Sequence, residues 1–356
     1  MPVLQVVLGI GLLTVGADLL VRGAAALATR LGLSPLVIGL TVVAFGTSMP
    51  EVSVSIGSAL AGQGGVALGN ALGSNIFNIL VVLGGSAIIR PLLVDRHLVR
   101  LDVPIMIGTA VLVFVLGLNG VLGRGEGVFL LALGAAYTVL LVRAGLKANG
   151  TAEPEAVEGS ERPHTLMQLA WLGFGLALLV GGARLLVDGS ETAARALGVS
   201  ELVIGLTVVA AGTSLPELAT SFVAAFRGER DIAVGNVVGS NIFNSLVVLG
   251  AAGLASGSDG IAVPLGVLTF DMPLMLASSV ACLPIFFTGW TISRWEGWVF
   301  LAYYFIYLSY LVMYHTQHGA QDLVRAGLFF FALPLTALTL SVLAVREFKR
   351  RRTGQA

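Results

Sequence analysis

Apolar residues run along this chain in blocks long enough to cross a lipid bilayer, with short polar joints between them. A hydrocarbon core of about 30 Å takes about 20 mostly apolar residues per helix. By that ruler, spans fall near 4–29, 34–61, 66–89, 101–118, 125–144, 166–194, 201–226, 231–255, 266–288, 296–314 and 324–345. One stretch departs from the pattern. Thr151 to Pro163 sets Glu153, Glu155, Glu158 and Glu161 among small residues and prolines, the composition of a solvated linker. The expected units are a first bundle over 1–147, a cytoplasmic linker over 148–165, a second bundle over 166–315, and an eleventh helix with a basic tail over 322–356.

The polar residues inside the apolar blocks are themselves ordered. In the second span Ser48, Glu51, Ser55 and Ser58 are spaced three, four and three apart, which makes one polar stripe on a helix. Ser214, Glu217 and Ser221 form the like stripe in the seventh span. Asn70, Ser74 and Asn78 recur every four residues in the third span, as do Asn236, Ser240 and Asn244 in the eighth. Lipid satisfies none of these groups, so the four oxygen-rich faces are expected to point into the bundle.

The stripes belong to a duplication. Gly39-Leu-Thr-Val-Val-Ala-Phe-Gly-Thr-Ser-Met-Pro-Glu51 matches Gly205-Leu-Thr-Val-Val-Ala-Ala-Gly-Thr-Ser-Leu-Pro-Glu217, and Gly69–Asn78 matches Gly235–Asn244, both at an offset of 166 residues. Asp102-Val-Pro against Asp271-Met-Pro, and Arg124-Gly-Glu-Gly against Arg294-Trp-Glu-Gly, extend the match with a drift of a few positions. Five spans separate equivalent points, and an odd number makes the second copy enter the membrane from the opposite side. The fold class predicted is therefore an all-α polytopic membrane protein, an inverted 5+5 helix repeat plus one C-terminal helix. Inverted repeats build secondary transporters with a site near the midplane.

Charge fixes an expected orientation. Of the 20 Lys and Arg residues, Arg22 and Arg184 lie deep inside predicted spans; with Arg143 and Arg325 counted at the span ends they sit on, the eleven-span count puts fifteen of the others on one side and three, Arg124, Arg195 and Arg325, on the other. The positive-inside rule then places the N-terminus outside and the C-terminus in the cytoplasm. Only 11% of residues are charged and the formal net charge is zero, so no basic field for nucleic acid exists. Met1–Leu8 carries no positive segment, so no cleavable leader is expected. Cys282, the only cysteine, forms no internal disulfide, and the four histidines lack metal-ligand spacing.

Pro50 and Pro216 cannot donate to the carbonyls of Gly46 and Gly212, which predicts broken helices around Thr47 and Thr213. Freed carbonyls beside a carboxylate suit a hard cation, and Ca²⁺ takes about 6–8 oxygen ligands. Glu51 and Glu217 together match the charge of one Ca²⁺, and three monovalent ions there would leave one positive charge. Ser48, Ser214, Asn78 and Asn244 are read as ligands beside them. Asn75, Asn241, Asn70 and Asn236 are balanced between ligation and helix–helix contact. Asp18 with Arg22, and Arg184 with Asp188, are expected to pair along their own helices. Asp102 and Asp271, each two residues before a proline, are expected as helix N-caps.

At Gly46-Thr-Ser-Met-Pro-Glu51 with Gly73-Ser-Asn-Ile-Phe-Asn78, and at the matching Gly212–Glu217 and Gly239–Asn244, the sequence resembles the calcium/cation antiporter superfamily, and within it the prokaryotic sodium/calcium exchangers. The resemblance implies that Glu51 and Glu217 bind Ca²⁺ with the carbonyls of Thr47 and Thr213. It implies flanking Na⁺ sites at Ala44, Thr47, Ser48 and Ser74, and at Ala210, Thr213, Ser214 and Ser240. It also implies that the first and sixth spans slide across the core to alternate access. One departure stands out: some members carry Asp where Asn244 stands, so both Asn78 and Asn244 are neutral here. The expected activity is exchange of Na⁺ for Ca²⁺ across the cell membrane, with no enzymatic step and no cofactor. H⁺/Ca²⁺ antiport is the neighbouring alternative, since a buried glutamate can also trade a cation for a proton.

Overall fold

A computed structural model of the protein describes residues 2–149, 165–197, 210–315 and 321–328 and individual positions between 330 and 348. The linker expected around 151–163, the first part of the seventh span and the basic tail lie outside the described residues. Helices dominate. They are α1 (Pro2–Leu31), α2 (Pro35–Thr47), α3 (Met49–Leu60), α4 (Gly64–Ile89), α5 (Leu98–Gly117), α6 (Arg124–Lys147) and α7 (Leu166–Ala196). After the short helix Ala210–Gly212 come α8 (Leu215–Arg227), α9 (Arg230–Ala255), α10 (Val267–Phe287), α11 (Arg294–Tyr314) and α12 (Gln321–Gly327). Among the described residues, eight helices are long and apolar enough to cross a membrane, and the pair α2–α3, bent by 42°, makes a ninth span. Large exposed apolar side chains such as Val7, Val115, Phe174, Trp298 and Phe305 coat the outside, as a lipid-facing surface requires.

Helices α4 and α9 form the centre, with 78% and 94% of their apolar windows buried against 28% for α1, α6 and α7. Their small residues make this possible. A Cβ at Gly239 would come within 2.7 Å of the Leu40 carbonyl, so α9 lies backbone-to-backbone on α2. At the periphery α1 and α7 pack in the same way. Gly9 faces Gly182 and Gly16 faces Gly175, and a Cβ at any of the four would fall 2.7–2.9 Å from the partner helix's backbone. The pairing runs in opposite numerical directions, so α1 and α7 are antiparallel.

Reciprocal contacts recur through the molecule. The two-residue strand β1 (Leu92–Leu93) pairs with β4 (Thr291–Ile292), and β2 (Val121–Leu122) pairs with β3 (Ile261–Ala262), both antiparallel. Glu126 accepts from the Gly123 amide at 3.1 Å and Glu296 from the Ser293 amide at 2.7 Å, the same cap at the start of α6 and of α11. Each half thus makes with the other the contact it receives, which is what a pseudo-two-fold axis produces.

The N-cap expectation for Asp102 and Asp271 is corrected. Each sits in helical backbone at the end of a π-turn, Leu98–Asp102 and Val267–Asp271, with no side-chain cap. The extra residue in the turn carries the carboxylate off the helix end and toward a neighbour. Tyr137 donates to Asp102 at 3.2 Å and Tyr307 to Asp271 at 3.0 Å, tying α5 to α6 and α10 to α11. Asp18 does pair with Arg22 at 2.9 Å, and Arg227 from α8 joins them. Arg184 and Asp188 make no ion pair with each other.

Candidate ion-binding site

The break between α2 and α3 falls at Ser48, whose φ −82° and ψ 3° leave the helical path just before Pro50. Ser214 takes the same conformation, φ −91° and ψ 8°, just before Pro216. Proline removes a helical donor and disfavours helix at the preceding residue, so the sequence places a bend one turn ahead of each glutamate. Glu51 and Glu217 then start α3 and α8, where the helix N-terminus favours negative charge. Both are 0% exposed.

Each carboxylate is served from the opposite half. Ser214 lies 3.1 Å from Glu51 Oε1, and Ser48 donates to Glu217 Oε1 at 3.2 Å. Ser74, on α4, approaches Glu51 Oε1 at 3.4 Å and accepts from Ser214 at 2.9 Å. A hydroxyl has one proton, so Ser74 and Ser214 cannot both serve each other and saturate Glu51. The second oxygen of each carboxylate, Oε2, has no hydrogen-bond partner among the described residues.

Around the glutamates stand more buried oxygens without partners. Asn78 and Asn244 each open a π-turn, Asn78–Leu83 and Asn244–Val248, a feature frequent at functional sites. Both amides are 0% exposed, and neither their oxygens nor their nitrogens have protein partners. Ser240 is buried with its hydroxyl unpartnered, and Ala44 is fully buried beside the break. The side chain of Ala210 lies outside what the structure describes. Thr47 and Thr213 sit at the breaks, with their hydroxyls turned to the opposite half: Thr47 donates to Asn236 Oδ1 at 3.1 Å and Thr213 to Asn70 Oδ1 at 3.0 Å.

Those two asparagines are a part of the arrangement that sequence reasoning left undecided. Asn70 also donates to Ser55 at 2.9 Å and to the Glu51 carbonyl at 3.3 Å; Asn236 donates to Ser221 at 2.9 Å and to the Glu217 carbonyl at 3.4 Å. They act as struts that fix the broken backbone from both sides of the interface. The four-residue recurrence of Asn70, Ser74 and Asn78 carried that signal, since it puts all three on one face of α4. Asn75 and Asn241 split: Asn75 donates to Ser245 at 3.0 Å across the halves, whereas Asn241 bonds its own helix at Val237.

Two buried carboxylates, ringed by neutral oxygens and lacking any nearby Lys or Arg partner among the hydrogen bonds and ion pairs described, are costly as they stand. A cation placed between them offsets that cost. Among the described residues no group of three His, Cys, Asp or Glu side chains gathers to hold a metal. The side chains gathered there carry carboxylate, hydroxyl and amide oxygens, the donor type that hard ions prefer.

The chain is similar to known membrane exchangers. Residues 1–143 and 167–313 match the family described as sodium/calcium exchanger protein. The sodium/calcium exchanger MaX1 of Methanosarcina acetivorans is 35% identical over 352 residues, covering 86% of this chain and 97% of that protein. A putative antiporter, CaxA, of Alkalimonas amylolytica is 43% identical over 249 residues, covering 69% and 78%. Among solved structures, the sodium-calcium exchanger NCX_Mj soaked with Na⁺ and Sr²⁺ superposes with a TM-score of 0.75 at 35% identity, over 86% of this chain and 97% of that one.

Proposed function

From the premise that the chain belongs to the sodium/calcium exchanger family, we propose that it exchanges Na⁺ for Ca²⁺ through one central site, with Glu51 and Glu217 as ligands shared by both ions. The observation that carries this reading is the pair of fully buried carboxylates, each reached by a serine of the opposite half and each keeping one oxygen without a partner. Ca²⁺ there takes an oxygen from each glutamate, the carbonyls of Thr47 and Thr213, and the amide oxygens of Asn78 and Asn244. Na⁺ uses the flanking oxygens near Ala44, Thr47, Ser48 and Ser74, and near Ala210, Thr213, Ser214 and Ser240. Sharing the glutamates makes occupancy exclusive, which is what couples the two fluxes.

The same reading organises the chain as two inverted five-helix units, 1–147 and 166–315, joined by a linker over 148–165 and followed by a helix and basic tail over 322–356. The N-terminus faces out, and the linker and C-terminus face the cytoplasm. With a site charge of −2, one Ca²⁺ is neutralised and three Na⁺ leave one positive charge, so transport is electrogenic. A second reading, H⁺/Ca²⁺ antiport, draws on the likeness to a putative antiporter and on the two fully buried carboxylates of the site, which can carry protons in place of a cation.

The test is flux in variants. Glu51→Gln and Glu217→Gln keep the shape and remove the charge, so each abolishes Ca²⁺ flux while the protein still purifies as a folded, monodisperse species. Flux at the unmodified level in either variant removes the glutamates from the mechanism.

A further inference from the structure

The two ends of the site are built from repeat-related residues, yet one is shut and the other open. Val54 and Thr220 occupy equivalent positions, 166 residues apart, and are 40% and 0% exposed respectively. On the shut side α1 packs along α8, on which Glu217 and Thr220 are both fully buried. On the other side α7 stands off α3, and a cavity of about 290 Å³ reaches the helix breaks between Pro50, Ser53 and Val54 on one wall and Arg184, Asp188 and Thr213 on the other.

Charge follows the same asymmetry. Where α1 meets α8, the Asp18 carboxylate lies between Arg22 of its own helix, at 2.9 Å, and Arg227 in the last turn of α8. At the equivalent positions of the other half Arg184 replaces Asp18, Asp188 replaces Arg22, and Ala61 replaces Arg227. No carboxylate stands at the Asp18 position there and no cation at the Arg227 position. Arg184 and Asp188 stand exposed at the cavity instead, without an ion pair between them.

We propose that the Asp18–Arg227 pair is a latch between α1 and α8 that holds one face of the ion site shut, and that the residues determining which side the resting protein faces are this pair and its absence at Arg184 and Ala61. The proposal rests on the alternating-access reading of the fold but not on which ions are carried. Arg227 suits the role because a cation in a helix's last turn is already favoured there, so the pair can form and break without stranding the arginine. Both side chains keep about a third of their surface in solvent, 29% for Asp18 and 36% for Arg227. Such a pair is worth little in absolute terms, which is what a latch needs: it biases two states of similar free energy without locking either.

The test reads accessibility from each side of the membrane. On a Cys282→Ala background, Val54→Cys or Thr220→Cys is introduced and labelled with a membrane-impermeant maleimide in vesicles of both orientations. With Arg227 intact, Val54→Cys reacts from one side and Thr220→Cys is protected. Adding Arg227→Gln raises labelling of Thr220→Cys from the opposite side about two- to fivefold, the shift in population expected on losing a partly exposed ion pair. It lowers labelling of Val54→Cys at the same time, and Arg227→Lys restores the original pattern. Unchanged protection of Thr220→Cys beside normal Val54→Cys labelling overturns the latch, and so does an equal rise at both positions, which marks general loosening. The reverse graft guards against a variant that fails to fold: Ala61→Arg with Arg184→Asp and Asp188→Arg builds the latch on the open side and lowers Val54→Cys labelling, and no reduction counts against the proposal. Absence of Na⁺/Ca²⁺ exchange would leave all of these labelling outcomes as they are.

Discussion

Asn78→Leu and Asn244→Leu separate an ion ligand from a helix-packing residue. Leucine has nearly the shape of asparagine without its polar atoms. Both amides are fully buried, and all four of their polar atoms lack protein partners. Leaving one buried polar group unpaired costs about 1–3 kcal/mol. If these amides exist to hold a cation, the ion-free protein carries that cost, and each leucine relieves it by about 1–3 kcal/mol. The bound state moves the other way, because an ion that prefers the folded site stabilises it by about 2.7 kcal/mol at a hundred times its dissociation constant. Thermal unfolding in detergent, followed by tryptophan fluorescence with and without Ca²⁺, reads both effects. The expected result is a leucine variant more stable than the parent without ions and barely stabilised by Ca²⁺. A variant that is less stable without ions and still gains fully from Ca²⁺ would refute the reasoning and make the asparagines packing residues.

Other expectations follow from the same geometry. Asn236→Ala strips partners from Thr47, Ser221 and the Glu217 carbonyl and lowers stability by about 1–3 kcal/mol, measured by thermal unfolding. Asn70→Ala makes the equivalent cut at a half-exposed position, so it costs less; an equal loss in both would show that burial does not set the price. Gly16→Ala puts a methyl 2.7 Å from the Gly175 carbonyl, a contact that only separation of α1 from α7 relieves, at about 1–3 kcal/mol. Slower Ca²⁺ flux and a lower unfolding temperature are expected, and an unchanged protein would mean that the two helices have slack. Tyr137→Phe leaves the buried Asp102 without its phenol donor and destabilises by about 1–3 kcal/mol while sparing the ion site, so the affinity for Ca²⁺ stays as it was.

Much of this architecture is legible along the chain because a bilayer simplifies the code. Among the described residues, span ends lie within a few residues of where apolar length puts them, and the breaks ahead of Glu51 and Glu217 follow from Pro50 and Pro216. The duplication also identifies the residues that meet, since reciprocal pairs such as Ser48 with Glu217 and Ser214 with Glu51 need only a two-fold axis. What stayed hidden depends on contacts between helices. Asp102 and Asp271 have the spacing of caps, but π-turns, invisible to a period of 3.6, swing them to tyrosines on the next helix. Arg227 reads as one more loop cation until α1 is laid beside α8. The roles of Asn70 and Asn236 likewise turn on which residue of the opposite half faces them, and helical spacing supplies the face but not the partner.

The most direct measurement is Ca²⁺ uptake into proteoliposomes loaded with Na⁺, compared with matched vesicles loaded with K⁺ or choline at constant pH. Uptake that requires the outward Na⁺ gradient, accelerates when the interior is made negative and disappears in Glu51→Gln and Glu217→Gln is the result predicted here. Uptake indifferent to Na⁺ and driven instead by an imposed pH gradient would contradict sodium coupling and give the site to protons.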